Sequence, residues 1–218
     1  PDADWVVGDM RHGAGQVGFH LQHGASGFDV VVSRQGEHNA RNAAAVLALV
    51  GELGLDVAGA AAGLASFGGV RRRFEIKARV NGITVVDDYA HHPTEVAATI
   101  AAAALGGAGR ILAVFQPHRY SRTGELAAGF GPALAGADLV IVTDVYAAGE
   151  PPVPGVTGRL VAEAAEAAGA EVVYEAHRAD LAATVAARAR PGDLLLLMGA
   201  GDITMVADEV AALLGGGR

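Results

Sequence analysis

The chain has 218 residues, of which 51% are hydrophobic and 18% charged, enough for one large domain or for a domain and part of another. Its formal net charge of −8 argues against a nucleic-acid-binding surface, which would carry clustered basic residues. The sequence has no cysteine, so disulfides and thiolate metal sites are excluded and a reducing compartment is permitted. Its longest apolar runs, such as 194–198, are too short to span a bilayer.

The first third of the sequence predicts strands followed by helices. It opens on Pro1 without an initiator methionine and runs at once into strand-like sequence, which predicts a fragment of a longer protein. The alternation of Val17, Phe19 and Leu21 with polar neighbours is typical of a half-buried strand. We predict hairpin-like strands within 5–34, helices over 39–50 and 57–66, and a domain boundary near residue 68.

After Arg73 strands and helices alternate regularly, which predicts an α/β fold with a mostly parallel sheet covered on both faces. The Asn81-Gly82 pair is a strong turn signal and predicts a hairpin that adds an antiparallel edge strand. The predicted strands cover 74–80, 83–88, 110–115, 138–143, 171–174 and 193–198, and the predicted helices cover 94–105, 123–135, 157–168, 178–190 and 203–214.

The stretch ITVVDDYAHHPTEV, residues 83–96, joins a predicted strand to a predicted helix. Pro93 suits the first helical position, where its missing N–H costs nothing, and Glu95 adds negative charge to the first turn. Open α/β sheets bind their ligands at such strand-to-helix turns. This turn carries two acids, a phenol and two imidazoles, namely Asp87, Asp88, Tyr89, His91 and His92. The alternative is a polar loop with a helix cap.

Two arginines follow the next predicted strand. Arg119 and Arg122 are three residues apart at a loop-to-helix junction, so both guanidinium groups can face the same way. A guanidinium group matches a carboxylate or a phosphate in bidentate fashion, so the pair predicts an anionic ligand. The alternative is a pair of surface ion pairs with Glu125 or Asp144.

Adjacent residues of a strand point to opposite faces, so Asp87 and Asp88 are not expected to act as a paired acid and base.

The Gly199-Ala200-Gly201 run allows either close backbone approach to a ligand or a plain helix-entry turn. Asn39 and Asn42, three apart at a helix start, have amides that suit an adenine edge, although one of them could cap the helix instead. No pair of histidines has metal-ligand spacing, so we predict no transition-metal site.

Taken together, these stretches resemble the Mur ligase family, the ATP-dependent amide-forming enzymes of peptidoglycan biosynthesis. The resemblance runs over nearly the whole chain and is strongest with members that join L-alanine to UDP-N-acetylmuramate. Four segments carry it, namely Gly36–Asn42 (GEHNARN), Gly69–Phe74 (GVRRRF), Asp87–Glu95 (DDYAHHPTE) and Phe115–Thr123 (FQPHRYSRT).

The resemblance implies a mechanism in which ATP converts the muramoyl carboxylate to an acyl phosphate, which the amine of L-alanine attacks, with Mg²⁺ neutralising charge. It implies that Asn39 and Asn42 hold adenine, that Tyr89 lies against the base, that Arg73 contacts the ATP phosphates and that Asp88 contacts the ribose. It also implies that His91, Arg119 and Arg122 bind the muramoyl-alanine end of the substrate or product. The catalytic set would be Arg73, Asp88 and His91, and the enzyme would be cytoplasmic.

The sequence lacks the family's phosphate-binding loop, its central Mg²⁺ ligands and its uridine-nucleotide domain. By the family pattern, residues 1–68 would be the C-terminal part of the central ATP-binding domain, an α/β ATPase domain, and 69–218 the complete Rossmann-like C-terminal domain. We therefore expect the chain alone to be inactive.

The alternatives are a murein-tripeptide ligase or another member of the superfamily, and a non-catalytic module that binds nucleotide or substrate. A dinucleotide oxidoreductase is disfavoured because no G-x-G-x-x-G follows a strand and opens a helix.

Overall fold

The computed structural model describes residues 3–13, 15–34, 36–68, 70–107 and 109–216. The chain divides into two compact units, Pro1–Gly69 and Val70–Arg218. Among the described residues, no helix combines the length and the apolar character needed to cross a membrane.

The first unit is a three-stranded antiparallel sheet with two helices, in the order β1-β2-β3. The alternating residues Val17, Phe19 and Leu21 of β2 are fully buried and pack with Leu47 of α1, as the period of two predicts. The elements are β1 (Trp5–Gly13), β2 (Gln16–His23), β3 (Ser26–Val32), α1 (Glu37–Glu52) and α2 (Val57–Ser66).

The second unit is a six-stranded sheet in the order β4-β5-β9-β6-β7-β8, in which only β4 runs antiparallel. Its strands are β4 (Glu75–Val80), β5 (Ile83–Asp88), β6 (Arg110–Phe115), β7 (Leu139–Thr143), β8 (Val172–Glu175) and β9 (Asp193–Met198). Its helices are α3 (Pro93–Leu105), α4 (Tyr120–Leu134), α5 (Arg159–Ala167), α6 (Arg178–Ala186) and α7 (Ile203–Gly215). The predicted α/β class and mostly parallel sheet are confirmed.

Apolar cores lie on both faces of this sheet because its central strands are apolar at nearly every position. Ile100 of α3 and Phe130 of α4 belong to the core on one face, and Leu181 of α6 and Val206 of α7 belong to the core on the other. The β4–β5 hairpin turns at Asn81-Gly82, where φ is 50° and 77°, the positive pair that a tight two-residue turn requires.

Two predicted helix boundaries were wrong. Helix α4 begins at Tyr120 rather than 123, because the chain redirects at Arg119, which has a φ of 72°. Helix α6 ends at Ala186 rather than 190, because the Arg188 N–H bonds three residues back to the Val185 carbonyl and the Arg190 N–H donates to Asp193, so the chain has left the helix before Pro191.

The carboxyl ends of β5, β9, β6 and β7 lie side by side at one edge of the sheet. Asp88 pairs with Met198, and Met198 pairs with Phe115, so the loops that follow these strands start level with one another. The loops that carry Asp87–His92, Arg119 and Arg122, and Gly199–Gly201 therefore share one edge with the loop after β7.

Candidate active site

The loops after β6 and β7 are tied together by backbone hydrogen bonds. The Arg119 N–H donates to the Tyr146 carbonyl and the Tyr146 N–H donates to the Pro117 carbonyl, both at 2.9 Å. This pairing stacks the His118 ring on the Tyr146 ring, with centroids 5.7 Å apart and planes 15° apart. The His91 ring, from the loop after β5, lies 5.9 Å from His118. Three strand ends therefore contribute to one aromatic cluster.

The two arginines predicted to bind an anion lie beside this cluster. Arg119 is the N-cap of α4 in the left-handed region, and Arg122 is in the first turn of that helix. The Arg122 Nη1 is buried and has no hydrogen-bond partner among the described residues. Neither guanidinium forms an ion pair with Glu125 or Asp144, all four residues being in the described part of the chain. The alternative of surface ion pairs with these two acids is therefore not what the structure shows.

Glu150, the second acid in the loop after β7, already accepts hydrogen bonds from the protein. Its carboxylate accepts hydrogen bonds from the Ser121 hydroxyl at 2.6 Å and the Ser121 N–H at 3.0 Å. These two bonds hold the pKa of Glu150 below its usual value. Glu150 therefore stays ionised and fixes the start of α4, while the guanidinium groups remain available to a ligand.

His91 is held in one tautomer by its own loop. Its Nδ1 lies 2.8 Å from the Tyr89 carbonyl oxygen, which can only accept, so Nδ1 carries the proton. The Nε2 of His91 is thereby left as an acceptor for a ligand or proton. Glu95 fixes the same loop, since its carboxylate accepts from the N–H groups of His91 and His92 at 3.0 and 3.2 Å.

His118 is in a positively charged environment. Its pKa lies below its usual value because burial disfavours the charged ring and because the positive charges of Arg122 and Arg119, and of His91 whenever that ring is protonated, repel a further proton. Its Nδ1 is buried without a hydrogen-bond partner among the described residues. A neutral His118 ring beside two free guanidinium groups suits an anionic ligand that brings a hydrogen-bond donor or acceptor with it.

The lowered pKa of His118 predicts a pH-dependent stability. The unfolded chain takes up this proton near pH 6.5 and the folded chain only at lower pH, so the stabilisation is full above that value and is lost as the pH falls below it. We expect the free energy of unfolding to fall more steeply in the wild type than in His118→Gln as the pH drops below 6.5. Urea titrations at several pH values measure this, with His177→Gln, at an exposed position, as the control. Parallel curves for wild type and His118→Gln would contradict it.

Asp87 and Asp88 point to opposite faces of the sheet, as predicted. Asp88 accepts from the N–H groups of Phe74 at 2.7 Å and Ala90 at 2.8 Å, and Thr99 of α3 lies 3.4 Å away. Burial raises the pKa of Asp88, and the hydrogen bonds from Ala90 and Phe74 offset this only in part. Asp87 accepts from Thr204 of α7 at 2.6 Å. Both acids therefore fix the loops around β5, and Asp88, 5% exposed, keeps little surface for a ligand.

The remaining residues of the predicted nucleotide site fall in both units. Arg73 is exposed in the second unit, and its guanidinium lies 5.7 Å from the centroid of the Tyr89 ring, which is 36% exposed. Asn39 and Asn42 lie in the first two turns of α1 in the first unit. The N-cap of α1 is Gly36, so neither asparagine caps the helix.

The glycines of the 199–201 run pack against protein groups. A Cβ at Gly201 would lie 2.5 Å from Gln116 Oε1 and 2.5 Å from Tyr146 Cγ, and one at Gly199 would lie 2.8 Å from the Gln116 carbonyl oxygen. Gln116 also accepts from the Ile203 N–H and donates to Asp202. Of the two interpretations left open by the sequence, the structure favours tight packing at the helix entry.

Two positions that shape the site, Thr204 and Gln116, were not assigned a role from the sequence. Thr204 contacts Asp87 although they are 117 residues apart, and Gln116 joins the loops after β6 and β9. His118 and Tyr146 were visible only as polar or aromatic residues after strands, and the backbone pairing of their loops brings them together.

The family model described as Mur ligase, glutamate ligase domain, matches residues 72–201, which include the strand ends described above. The chain belongs to the Mur ligase family. The UDP-N-acetylmuramate–L-alanine ligase of Saccharopolyspora erythraea is 50% identical over 212 residues, covering 97% of this chain and 43% of that protein. The ligase of the same name from Kineococcus radiotolerans is 49% identical over 213 residues, covering 97% of this chain and 45% of that protein.

The crystal structure of the UDP-N-acetylmuramate-alanine ligase from Thermotoga maritima superposes with a TM-score of 0.81 at 27% identity, covering 96% of this chain and 45% of that one. This Mur ligase chain thus spans less than half the length of the relatives it matches.

Proposed function

We propose that this chain is the C-terminal part of an ATP-dependent Mur ligase that joins L-alanine to UDP-N-acetylmuramate. One observation carries the proposal beyond the likeness to relatives of that name. Two guanidinium groups without a carboxylate partner among the described residues, Arg119 and Arg122, lie beside His91 and His118 at the carboxyl ends of parallel strands. That arrangement fits the anionic end of such a substrate or product.

In the proposed reaction the muramoyl carboxylate attacks the γ-phosphorus of ATP, forming an acyl phosphate and releasing ADP. The amine of L-alanine then attacks the acyl carbon, the carbon–oxygen bond to phosphate breaks, and the nitrogen loses a proton as inorganic phosphate leaves. Fixed cations near the reacting groups stabilise the charge that develops. Arg119 and Arg122 would hold the acidic end, and His91 Nε2 would accept a hydrogen bond from the substrate.

The nucleotide contacts are proposed residue by residue. Arg73 would reach the phosphates and Tyr89 would lie against the base, which the exposed guanidinium and the half-exposed ring support. Asp88 would contact the ribose through a lone pair that the Phe74 N–H leaves on Oδ2. The exposed Asn42 and the half-buried Asn39 would hold adenine.

The remaining parts of the active site would lie upstream of this chain. Among the described residues, no three histidine or acidic side chains come close enough to hold a metal ion, so the ligands of Mg²⁺ are expected in the upstream part. Residues 1–68 would be the end of the central ATP-binding domain and 69–218 the C-terminal domain. Because its substrates are nucleotides and a free amino acid, the enzyme would act in the cytoplasm.

The proposal is tested by phosphate release from ATP with UDP-N-acetylmuramate and L-alanine, measured on this chain and on the chain extended upstream to the length of its relatives. We expect turnover only in the extended form. Faster turnover with murein tripeptide than with L-alanine would indicate the murein-tripeptide ligase instead. No turnover in either form with either substrate would favour the non-catalytic binding module.

A further inference from the structure

Arg72 is bound into the protein by both its side chain and its backbone, unlike its neighbour Arg73, whose side chain is exposed. Its Nε donates to Asp87 at 3.2 Å and its Nη2 donates to the Gly199 carbonyl at 2.6 Å. Its backbone carbonyl accepts from the Tyr89 N–H at 2.6 Å, and its guanidinium carbon lies 5.0 Å from the centroid of the Tyr89 ring. Arg72 thus contacts both the backbone and the ring of Tyr89.

The partners of Arg72 are themselves fixed. Asp87 has no exposed surface, and its Oδ2 also accepts from the Thr204 hydroxyl at the start of α7. The Asp87 carboxylate therefore joins Arg72 to α7, and the Gly199 carbonyl joins Arg72 to the end of β9. A guanidinium held at two points of the sheet edge is a rigid support for an aromatic ring that packs on it.

The backbone of this segment is in a sparsely populated conformation. Arg72 has a φ of 57° and Phe74 a φ of 50°, both in the left-handed region that residues other than glycine seldom adopt. The Arg72 N–H donates to Glu75 at 2.8 Å, and the Phe74 N–H donates to Asp88 at 2.7 Å. Such a backbone persists only where several surrounding hydrogen bonds hold it in place. It directs the Arg72 side chain into the protein and the Arg73 side chain to the surface, and both guanidinium groups approach the Tyr89 ring.

We propose that Arg72 is a positioning residue for nucleotide binding, which acts by fixing the Tyr89 ring against which the base packs. The bonds to Asp87 and Gly199 hold the Arg72 guanidinium against the ring, and Arg72 makes no nucleotide contact of its own. The inference rests on the proposed function, because it takes Tyr89 as the residue that faces the base. It predicts that the contributions of Arg72 and Tyr89 to ATP binding are not independent.

A double-mutant cycle in the upstream-extended enzyme tests this. We expect Arg72→Ala and Tyr89→Ala each to raise the KM for ATP about tenfold with a small change in kcat, and the double variant to be no worse than either single variant. The KM for UDP-N-acetylmuramate should change less than about twofold. Arg72→Lys keeps the charge but loses the planar fork, so its KM for ATP should fall between wild type and Arg72→Ala.

Lys77→Ala is the matched control, because Lys77 forms an ion pair with Asp208 at 3.1 Å and its side chain is 22% exposed, against 21% for Arg72. It should leave both KM values at the wild-type level.

If the effects of Arg72→Ala and Tyr89→Ala multiply in the double variant, or if only Tyr89→Ala raises the KM for ATP, the positioning role is overturned while the nucleotide site stands. If Tyr89→Ala leaves the KM for ATP unchanged, the proposed nucleotide site fails and the positioning role fails with it. Should Arg72→Ala not fold, Arg72→Lys with its own double variant decides by the same criterion.

Discussion

Replacing Arg119 by alanine in the upstream-extended enzyme is expected to raise the KM for UDP-N-acetylmuramate about 10- to 100-fold while leaving the KM for ATP within about twofold of wild type. The reason is that a hydrogen bond to a charged group contributes about 1.5–3 kcal/mol. The nearby carboxylate of Glu150 is hydrogen-bonded to Ser121 and, in the described part of the chain, forms no direct ion pair with Arg119. Alanine at this position keeps the same left-handed backbone without glycine's freedom, so the change removes the guanidinium and little else. Initial-rate kinetics with each substrate varied in turn provide the measurement.

Two further variants define what the Arg119 result means. Arg119→Lys keeps a charge but not the bidentate fork, so it should recover only part of the lost affinity. Arg188→Ala is the control. Arg188 follows α6, away from the site, and donates to the carbonyl of Thr184 within that helix, so its loss should not change either KM. An equal rise in both KM values for Arg119→Ala would mean that Arg119 is structural.

Replacing Gly201 by alanine is expected to lower the free energy of unfolding of the second unit by about 1–3 kcal/mol, the usual cost of overpacking a filled site. The added methyl group would lie 2.5 Å from both Gln116 Oε1 and Tyr146 Cγ, so at least one of these side chains must move. Because Tyr146 stacks on His118, we also expect a weaker interaction with UDP-N-acetylmuramate in the extended enzyme. Urea unfolding and substrate kinetics measure the two effects separately.

Gly124→Ala is the control for Gly201→Ala. Gly124 lies within α4, and a Cβ there would meet the Val156 side chain, with Cγ2 at 3.4 Å and Cγ1 at 3.9 Å, both ordinary contacts. That change should be neutral or stabilising by about 0.5–1 kcal/mol, as alanine favours a helix interior over glycine. If Gly201→Ala were as stable as Gly124→Ala and bound substrate normally, the packing of the 199–201 run would not shape the site.

The sequence predicted the sheet and its functional edge because both depend on short-range patterns. Apolar runs such as 83–86 end abruptly at polar residues, and parallel strands must place those ends at the same edge of the sheet. The Asn81-Gly82 turn likewise specified the antiparallel edge strand through local backbone preference.

The contacts that fix the site could not be predicted in the same way. Arg72 meets Gly199 across 127 residues, and Asp87 meets Thr204 across 117, so no local pattern indicates either bond. The left-handed backbone of Arg119 was also hidden, since arginine has no preference for it, and the start of α4 was therefore predicted three residues late. Asp88 shows the same limit, because nothing in the local sequence indicates that its carboxylate accepts the N–H groups of Phe74 and Ala90.

We propose that the anionic end of the sugar nucleotide binds at Arg119, Arg122 and His91. A crystal structure of the upstream-extended enzyme with ADP and the amide product would test it most directly. We expect the alanine carboxylate of the product to lie within about 3.2 Å of guanidinium nitrogens of Arg119 and Arg122, close to the His91 ring. A product bound in full with its carboxylate away from both arginines would contradict it.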